Sequence, residues 1–288
     1  MTACVIIDNK LKGKMKYTAL EKAVEALGMR EGHDFNYCFG KFLDTALTMF
    51  CNNPTEQQEK LLKSTLADAK QKAAFVEALE QYSEAAEGYN DPLGDMFMER
   101  ISHGANGQFF TPENVCEMIA RIAMPSQETI CDPCSGSGRL LLQGLKIARE
   151  NGSEPYIYAN DLAHTCSQMV LLNLLVNSAR GEVSCGDSLA MNFENYRFYH
   201  LDRIRQIGGA WMSTYWQYTT DTLAEVNEKR SEWALDILEC GFMVEPPRKA
   251  KTEPTAVEAR PEPIEPKAEP KVEKLTAVPK YKQLEFEF

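Results

Sequence analysis

The sequence predicts an α/β protein: a parallel sheet with covering helices, preceded by a helical segment and followed by a tail without a core. Three observations predict it. Between Asp91 and Leu189, short β-type runs alternate with helix-length runs, the order that yields parallel strands joined by crossover helices. Residues 17 to 90 carry apolar positions at helical spacing, among them Leu20, Val24 and Leu27. From Pro246 to Phe288 there are eight of the 14 prolines and no glycine, with Pro alternating with Glu and Lys. Such a segment buries too little apolar surface to offset its ordering entropy and is expected to be a disordered, semi-extended linker.

Taken in order, the first helical run closes at Gly28, placed as a C-cap. A longer helical stretch is expected from Pro54-Thr55 through Leu61, Leu62, Leu66 and Phe75 toward Tyr82, with Gly88 as its stop. Thr111-Pro112 reads as an N-cap followed by proline at the first helical position, opening Glu113 to Ala123. A strand, Thr129 to Asp132, enters a glycine turn and a helix, Arg139 to Glu150. A second strand, Tyr156 to Asp161, leads to a helix over Thr165 to Ser178, and a third, Glu182 to Cys185, ends at Gly186-Asp187. Four regions follow: an N-terminal helical domain (1–90), an α/β core (91–190), an aromatic-rich segment (191–245) and the tail (246–288).

Composition narrows the function classes. Of the 288 residues, 44% are hydrophobic and 25% charged, enough for a sizeable core. No apolar run approaches the roughly 18 to 20 residues of a membrane helix. The best, Val170 to Val176, is broken by Asn173, and no signal-length apolar segment precedes the Lys10/Lys12/Lys14/Lys16 comb. Nine cysteines, odd in number and scattered, fit reduced thiols in the cytoplasm. The net charge of −11 argues against gripping nucleic acid through bulk charge, so a DNA contact would need a local basic patch. Cys131 and Cys134 form a C-x-x-C without a second pair, and His33, His103, His164 and His200 are dispersed, so no metal site is read.

The sharpest chemical signal is Asp132-Pro133-Cys134-Ser135-Gly136-Ser137-Gly138 between a strand and a helix. Closely spaced glycines let the backbone turn tightly and approach a ligand at the helix N-terminus. The motif has neither the full dinucleotide fingerprint nor a Walker lysine, and alone it is equally an ordinary Gly/Ser loop. Its weight comes from the acids that close the next two strands: Asp161, placed to accept ribose hydroxyls, and Asp187, placed to read an adenine edge. Singly, each is equally a strand-end helix cap; together they line the rim where open α/β sheets bind nucleosides.

Gly107-Gln108-Phe109-Phe110-Thr111-Pro112 ahead of Asp132 to Gly138 resembles the adenine-N6 DNA methyltransferase family, above all the modification subunits of type I restriction systems. Asp91-Pro92-Leu93-Gly94-Asp95-Met96-Phe97, Asp161 with Asn173-Leu174-Leu175, and Gly186-Asp187-Ser188-Leu189 are similar to further elements of those subunits, in the same order. The resemblance covers roughly residues 90 to 190. It implies a Rossmann-like core, S-adenosylmethionine as cofactor, DNA as substrate and a partner subunit. Phe110, Thr111 and Pro112 would line the methionine end, and the turn from Asp132 through Pro133, Ser135 and Gly136 to Gly138 would hold its backbone. Asp161 would take the ribose hydroxyls and Asp187 the adenine amino group.

The sequence departs from the family at one place. An adenine amino nitrogen is a poor nucleophile, and the family activates it with an Asn/Asp-Pro-Pro-Tyr/Phe loop after the fourth strand, the aromatic stacking on the flipped base. No such sequence follows Asp187; the double proline Pro246-Pro247 is flanked by Glu245 and Arg248. The alternative reading is therefore a catalytically silent cofactor- or DNA-binding subunit of a larger modification complex. In the loop's place, Phe193 to Tyr218 holds eight of the 27 aromatics together with Arg197, Arg203 and Arg205. This segment is either a base-stacking surface or an apolar cover for an incomplete sheet, and the second is expected. The strand Thr129 to Asp132 should have one unpaired side, with Phe193 to Val244 folded over that edge; the alternative is a second chain that supplies the neighbouring strand and the Asn-Pro-Pro-Tyr loop. The tip Gln283 to Phe288 loosely resembles peptides that dock on sliding clamps.

Overall fold

The computed structural model describes residues 17–102, 109–124, 128–189, 196–207, 210–220, 224–225 and 227–229. The Lys10 to Lys16 comb, Gly107-Gln108, Phe193 and the tail with its clamp-like tip lie outside the described residues.

Helix α1 (Thr18–Glu25) ends before Gly28, which precedes a 3-10 turn at Met29–Glu31 instead of capping the helix. Helix α2 (Phe35–Phe50) starts where the Asp34 carboxylate accepts the Tyr37 N–H at 2.8 Å. It buries Phe39, Phe42, Leu43 and Ala46 completely. The single helix expected from Thr55 to Tyr82 is two helices. Thr55 and Gln58 form a capping box that opens α3 (Glu56–Ala67). The chain then breaks at Asp68, whose carboxylate accepts the Lys70 and Gln71 N–H groups and opens α4 (Ala69–Ala86). An internal N-cap competes with helix continuation, and here it wins. A short helix, α5 (Pro92–Phe97), follows and runs into one wider π turn at Met98–Ser102.

The expected strand–helix alternation is present. Helix α6 (Glu113–Ala123) precedes β1 (Thr129–Asp132), α7 (Arg139–Glu150), β2 (Tyr156–Asp161), α8 (His164–Val176) and β3 (Arg180–Cys185). Strands β1, β2 and β3 pair in parallel. Helix α8 is apolar almost all round because it lies between the sheet and the N-terminal helices, with Met169 to Leu175 buried throughout. One hydrophobic core joins Leu20, Phe42 and Tyr82 of the helical layer to Leu141, Leu172, Ile157 and Val183.

Two further strands, β4 (Tyr196–Ile207) and β5 (Ala210–Thr220), form a hairpin that pairs antiparallel with β3, in the order β1-β2-β3-β4-β5. For residues 196–207 and 210–220 this overturns the expectation that Phe193 to Val244 covers the edge of β1, because the hairpin stands on the opposite side of the sheet. The connection explains the outcome. Residues 186–195 are too few for the crossover of a dozen or more residues that a return to β1 requires, whereas antiparallel pairing needs only a short link. Tyr199 and Tyr215 join the core through an edge-to-face contact at 5.8 Å. Tyr196, Phe198 and Tyr218 stack in a separate cluster. Among the described residues β1 pairs with β2 alone.

Candidate functional site

The carboxyl ends of β1, β2 and β3 form one rim, and the turn after β1 is built on it. Gly136 has φ +54 and Gly138 φ +89, left-handed values that favour glycine. A Cβ on Gly136 would come within 2.9 Å of the Phe110 ring, and one on Gly138 within 2.5 Å of Val170 on α8. The first glycine lets the turn lie against Phe110; the second brings α7 close to α8. Phe110 is itself stacked on Phe97 at 5.8 Å and 16°.

A small cavity of about 90 Å³ opens at this turn. Phe110, Thr111, Asp132, Ser135 and Gly136 line it, together with Cys116, Ser137 and Arg139. Five of the ten residues expected at the site are therefore brought together on one cavity. Pro133 and Gly138 belong to the same turn without lining the cavity, and Pro112 stands at the start of α6. Pro112, not Thr111, is the N-cap of α6, and no side chain caps it.

Asp161 does not line the cavity but holds the turn. Its Oδ2 accepts the Gly136 N–H at 2.8 Å, and its Oδ1 accepts the Ala163 N–H at 2.9 Å. Asp132 accepts the Cys134 N–H at 3.0 Å. Burial raises its carboxyl above the ordinary value, the Cys134 N–H pulls it down, and the Asp161 charge raises it further. Burial likewise pushes the Cys116 thiol up to about 11, so it stays protonated beside the cavity. Asp187 is exposed at the end of β3, where its carboxylate accepts the Leu189 N–H at 2.9 Å. Among the described residues no group of three His, Cys, Asp or Glu is placed to hold a metal ion.

Three features of the site escaped the sequence reading. Asn160, next to Asp161, staples the rim: its Nδ2 donates to the Pro133 carbonyl at 3.2 Å and the Gly186 carbonyl at 3.0 Å, and its Oδ1 accepts from Ser184 at 2.7 Å. Arg139 reaches Asp91 at 3.1 Å, Asp95 at 2.5 Å and the Thr111 carbonyl at 3.4 Å, tying two preceding loops to the turn. Asp91 is 3% exposed and accepts from Ser137, from Gly94 at 2.9 Å and from Asn173 at 2.9 Å. Burial raises its carboxyl, while Arg139 and these donors pull it back. Only the turn motif and the Asp91-Pro92 element signalled this region, and neither announces its partners.

The rim of a βαβαβ unit with a glycine turn and an acid at the end of each following strand is the place where open α/β sheets carry their ligand sites. Residues 90–205 match the model of the N-6 DNA Methylase family, so the resemblance to adenine-N6 DNA methyltransferases holds for the core of this chain. A type I restriction enzyme MpnII methylase subunit of Mycoplasma pneumoniae is 33% identical over 98 residues, covering 31% of this chain and 18% of that protein. The MjaIX methylase subunit of Methanocaldococcus jannaschii, also a type I restriction enzyme, is 20% identical over 163 residues, covering 52% of this chain and 29% of that protein. The chain thus spans less than a third of either curated relative. A solved type I restriction-modification methyltransferase subunit from Streptococcus thermophilus superposes with a TM-score of 0.37 at 14% identity, covering 62% of this chain and 59% of that one.

Proposed function

We propose that this chain binds S-adenosylmethionine at the rim of β1, β2 and β3 and serves DNA adenine-N6 methylation of the restriction-modification type. The observation that carries the reading is the Asp161 carboxylate, bonded to the Gly136 N–H beside a cavity lined by Phe110, Thr111 and Asp132, within the family-matched segment. The donor set suits the ligand. A sulfonium cation is favoured by a nearby carboxylate, and vicinal hydroxyls by an acceptor at a strand end. The cavity suits the methionine end, held by Phe110, Thr111 and Pro112 and by the turn from Asp132 and Pro133 through Ser135 and Gly136 to Gly138. Asp161 takes the ribose hydroxyls, and Asp187 faces the adenine.

The cofactor supplies an electrophilic methyl group when bound. The chain's own residues orient it: the left-handed glycines allow close backbone approach, and Phe110 shields one side of the turn. DNA and a partner subunit complete the reading, and the cytoplasm is the compartment it fits. No helix among the described residues is long and apolar enough to cross a membrane. The residues from Met1 to Phe288 contain no Asn/Asp-Pro-Pro-Tyr/Phe sequence, so the source proposed for base activation lies outside these residues.

Calorimetric titration with S-adenosylmethionine tests the reading. The parent should bind, and Asp161→Ala should weaken binding by about 1.5 to 3 kcal/mol, the worth of charge-assisted hydrogen bonds. Absence of binding by the parent at millimolar cofactor would overturn the assignment. Radiolabelled methyl transfer to DNA, with and without cell extract, then separates a chain that acts alone from one that needs a partner.

A further inference from the structure

A chain of buried polar groups runs from the helical layer to the cofactor turn through three layers of the protein. Tyr82 on α4, Asn173 on α8 and Asp91 ahead of α5 are 0%, 0% and 3% exposed. The Tyr82 hydroxyl donates to Asn173 Oδ1 at 2.7 Å. Asn173 Nδ2 donates to Asp91 Oδ1 and to the Ser137 carbonyl, each at 2.9 Å. Asp91 Oδ2 accepts from the Ser137 hydroxyl and from Arg139. Ser137 and Arg139 line the cavity.

The direction of this chain is fixed. An ionised carboxylate and a backbone carbonyl only accept, so the Asn173 amide must present its nitrogen to them and its oxygen to Tyr82. The phenol must then donate. Both amide hydrogens and the amide oxygen of Asn173 are used, which leaves the side chain one orientation. Gly94 belongs to the same knot, since a Cβ there would run into the Asp91 carboxylate and the Ser137 hydroxyl.

We infer that Tyr82, acting through Asn173, is a positioning residue for the cofactor turn, so that the N-terminal helical layer helps to set ligand affinity. The inference rests on the proposed S-adenosylmethionine site. Without the phenol, the buried Asn173 Oδ1 loses its donor, and an amide that shifts to satisfy it loosens its hold on the Ser137 carbonyl and Asp91 at the base of the turn.

The test uses the full chain at a temperature where every variant is folded. Tyr82→Phe should raise the dissociation constant for S-adenosylmethionine about threefold to tenfold, the usual range for one buried hydrogen bond. In a double-mutant cycle with Ser137→Ala, the combined effect should be smaller than the product of the single effects. Phe75→Leu, a core change on the same helix away from the chain, should lower the melting temperature and leave affinity unchanged. Parent-like affinity in Tyr82→Phe would overturn the inference, as would a loss of affinity that follows the melting temperature equally in Phe75→Leu. If the parent itself does not bind, the functional reading fails first, and amide exchange of the free protein decides this one. Faster exchange at Ser135 to Arg139 in Tyr82→Phe but not in Phe75→Leu supports positioning, and equal protection in all three overturns it.

Discussion

Removing the Asn160 side chain should loosen the rim from both sides at once. Its amide holds the Pro133 carbonyl, one residue past Asp132, and the Gly186 carbonyl, one residue before Asp187, while its oxygen accepts from Ser184. Three hydrogen bonds of roughly 0.5 to 1.5 kcal/mol each would suggest more than the net effect, because water can replace the exposed one to Pro133. The expected loss of stability in Asn160→Ala is therefore about 1 to 3 kcal/mol. Asn160→Asp is the sharper perturbation: nearly the same volume, yet it faces an acceptor toward two carbonyl oxygens that can only accept. Urea unfolding should show a lower midpoint at unchanged slope for both variants, with the aspartate at least as damaging at neutral pH. Cofactor affinity should fall in both. Asn160→Asp unfolding and binding like the parent would refute the stapling argument outright.

Other positions give further tests. Gly138→Ala must take φ near +89 and push against Val170, so it should destabilise by about 2 to 4 kcal/mol, read as a drop in melting temperature; an unchanged melt would show the α7–α8 contact to be looser than described. Gly186→Ala drives a Cβ into the Tyr196 ring, and the damage should be partly relieved by Tyr196→Ala in the double variant; strictly additive losses would contradict that contact. Asp44 tests the pH dependence. Burial raises its carboxyl above the ordinary 3.8, opposed by the Gln168 amide that donates to it at 2.6 Å. A folded-state value above the unfolded one means that its stabilising contribution is complete below pH 3.8 and is lost as pH rises through the folded value. Asp44→Asn keeps an oxygen for Gln168, so it should be more stable than the parent at pH 7 and gain nothing near pH 3; a loss at pH 7 would reverse the sign of the reasoning.

The legible part of the fold is the part written in short-range signals. The glycine turn fixed β1 on one side and α7 on the other, and the bounds of α6, β1, α7 and β2 fall where the sequence places them. The break at Asp68 was hidden because the helical spacing continues through it, while the cap acts locally on two N–H groups. The hairpin was missed although Gly208-Gly209, a favoured two-residue hairpin sequence, separates β4 from β5. The aromatic density drew the reading toward a cover and away from strands. Among site residues, the turn and its neighbours at Phe110 and Thr111 were legible as a motif. The contacts of Asp91 with Ser137, Arg139 and Asn173 span 46 to 82 positions, and no periodicity or spacing encodes such a meeting.

The placement of the hairpin bears on how a ligand would lie. Because β4 runs antiparallel to β3, its amino end stands at the rim, and Tyr196 packs where Gly186 leaves room for its ring. The rim proposed for the ligand is thereby bounded at β3 and consists of three strand ends, Asp132, Asp161 and the Gly186-Asp187 turn. Neighbouring strands lie about 4.8 Å apart, so β1 and β3 are separated by roughly 10 Å. That span is of nucleoside size, with the cavity at its β1 end beside Phe110 and the exposed carboxylate of Asp187 at the other. On the proposed reading, the charged methionine end would lie at β1 and the planar base at β3. Among the described residues the other side of β1 carries no strand, and the cavity opens at the carboxyl end of β1. For that reason a loop that activates the acceptor base is better sought on a strand added beside β1 than on the hairpin beyond β3.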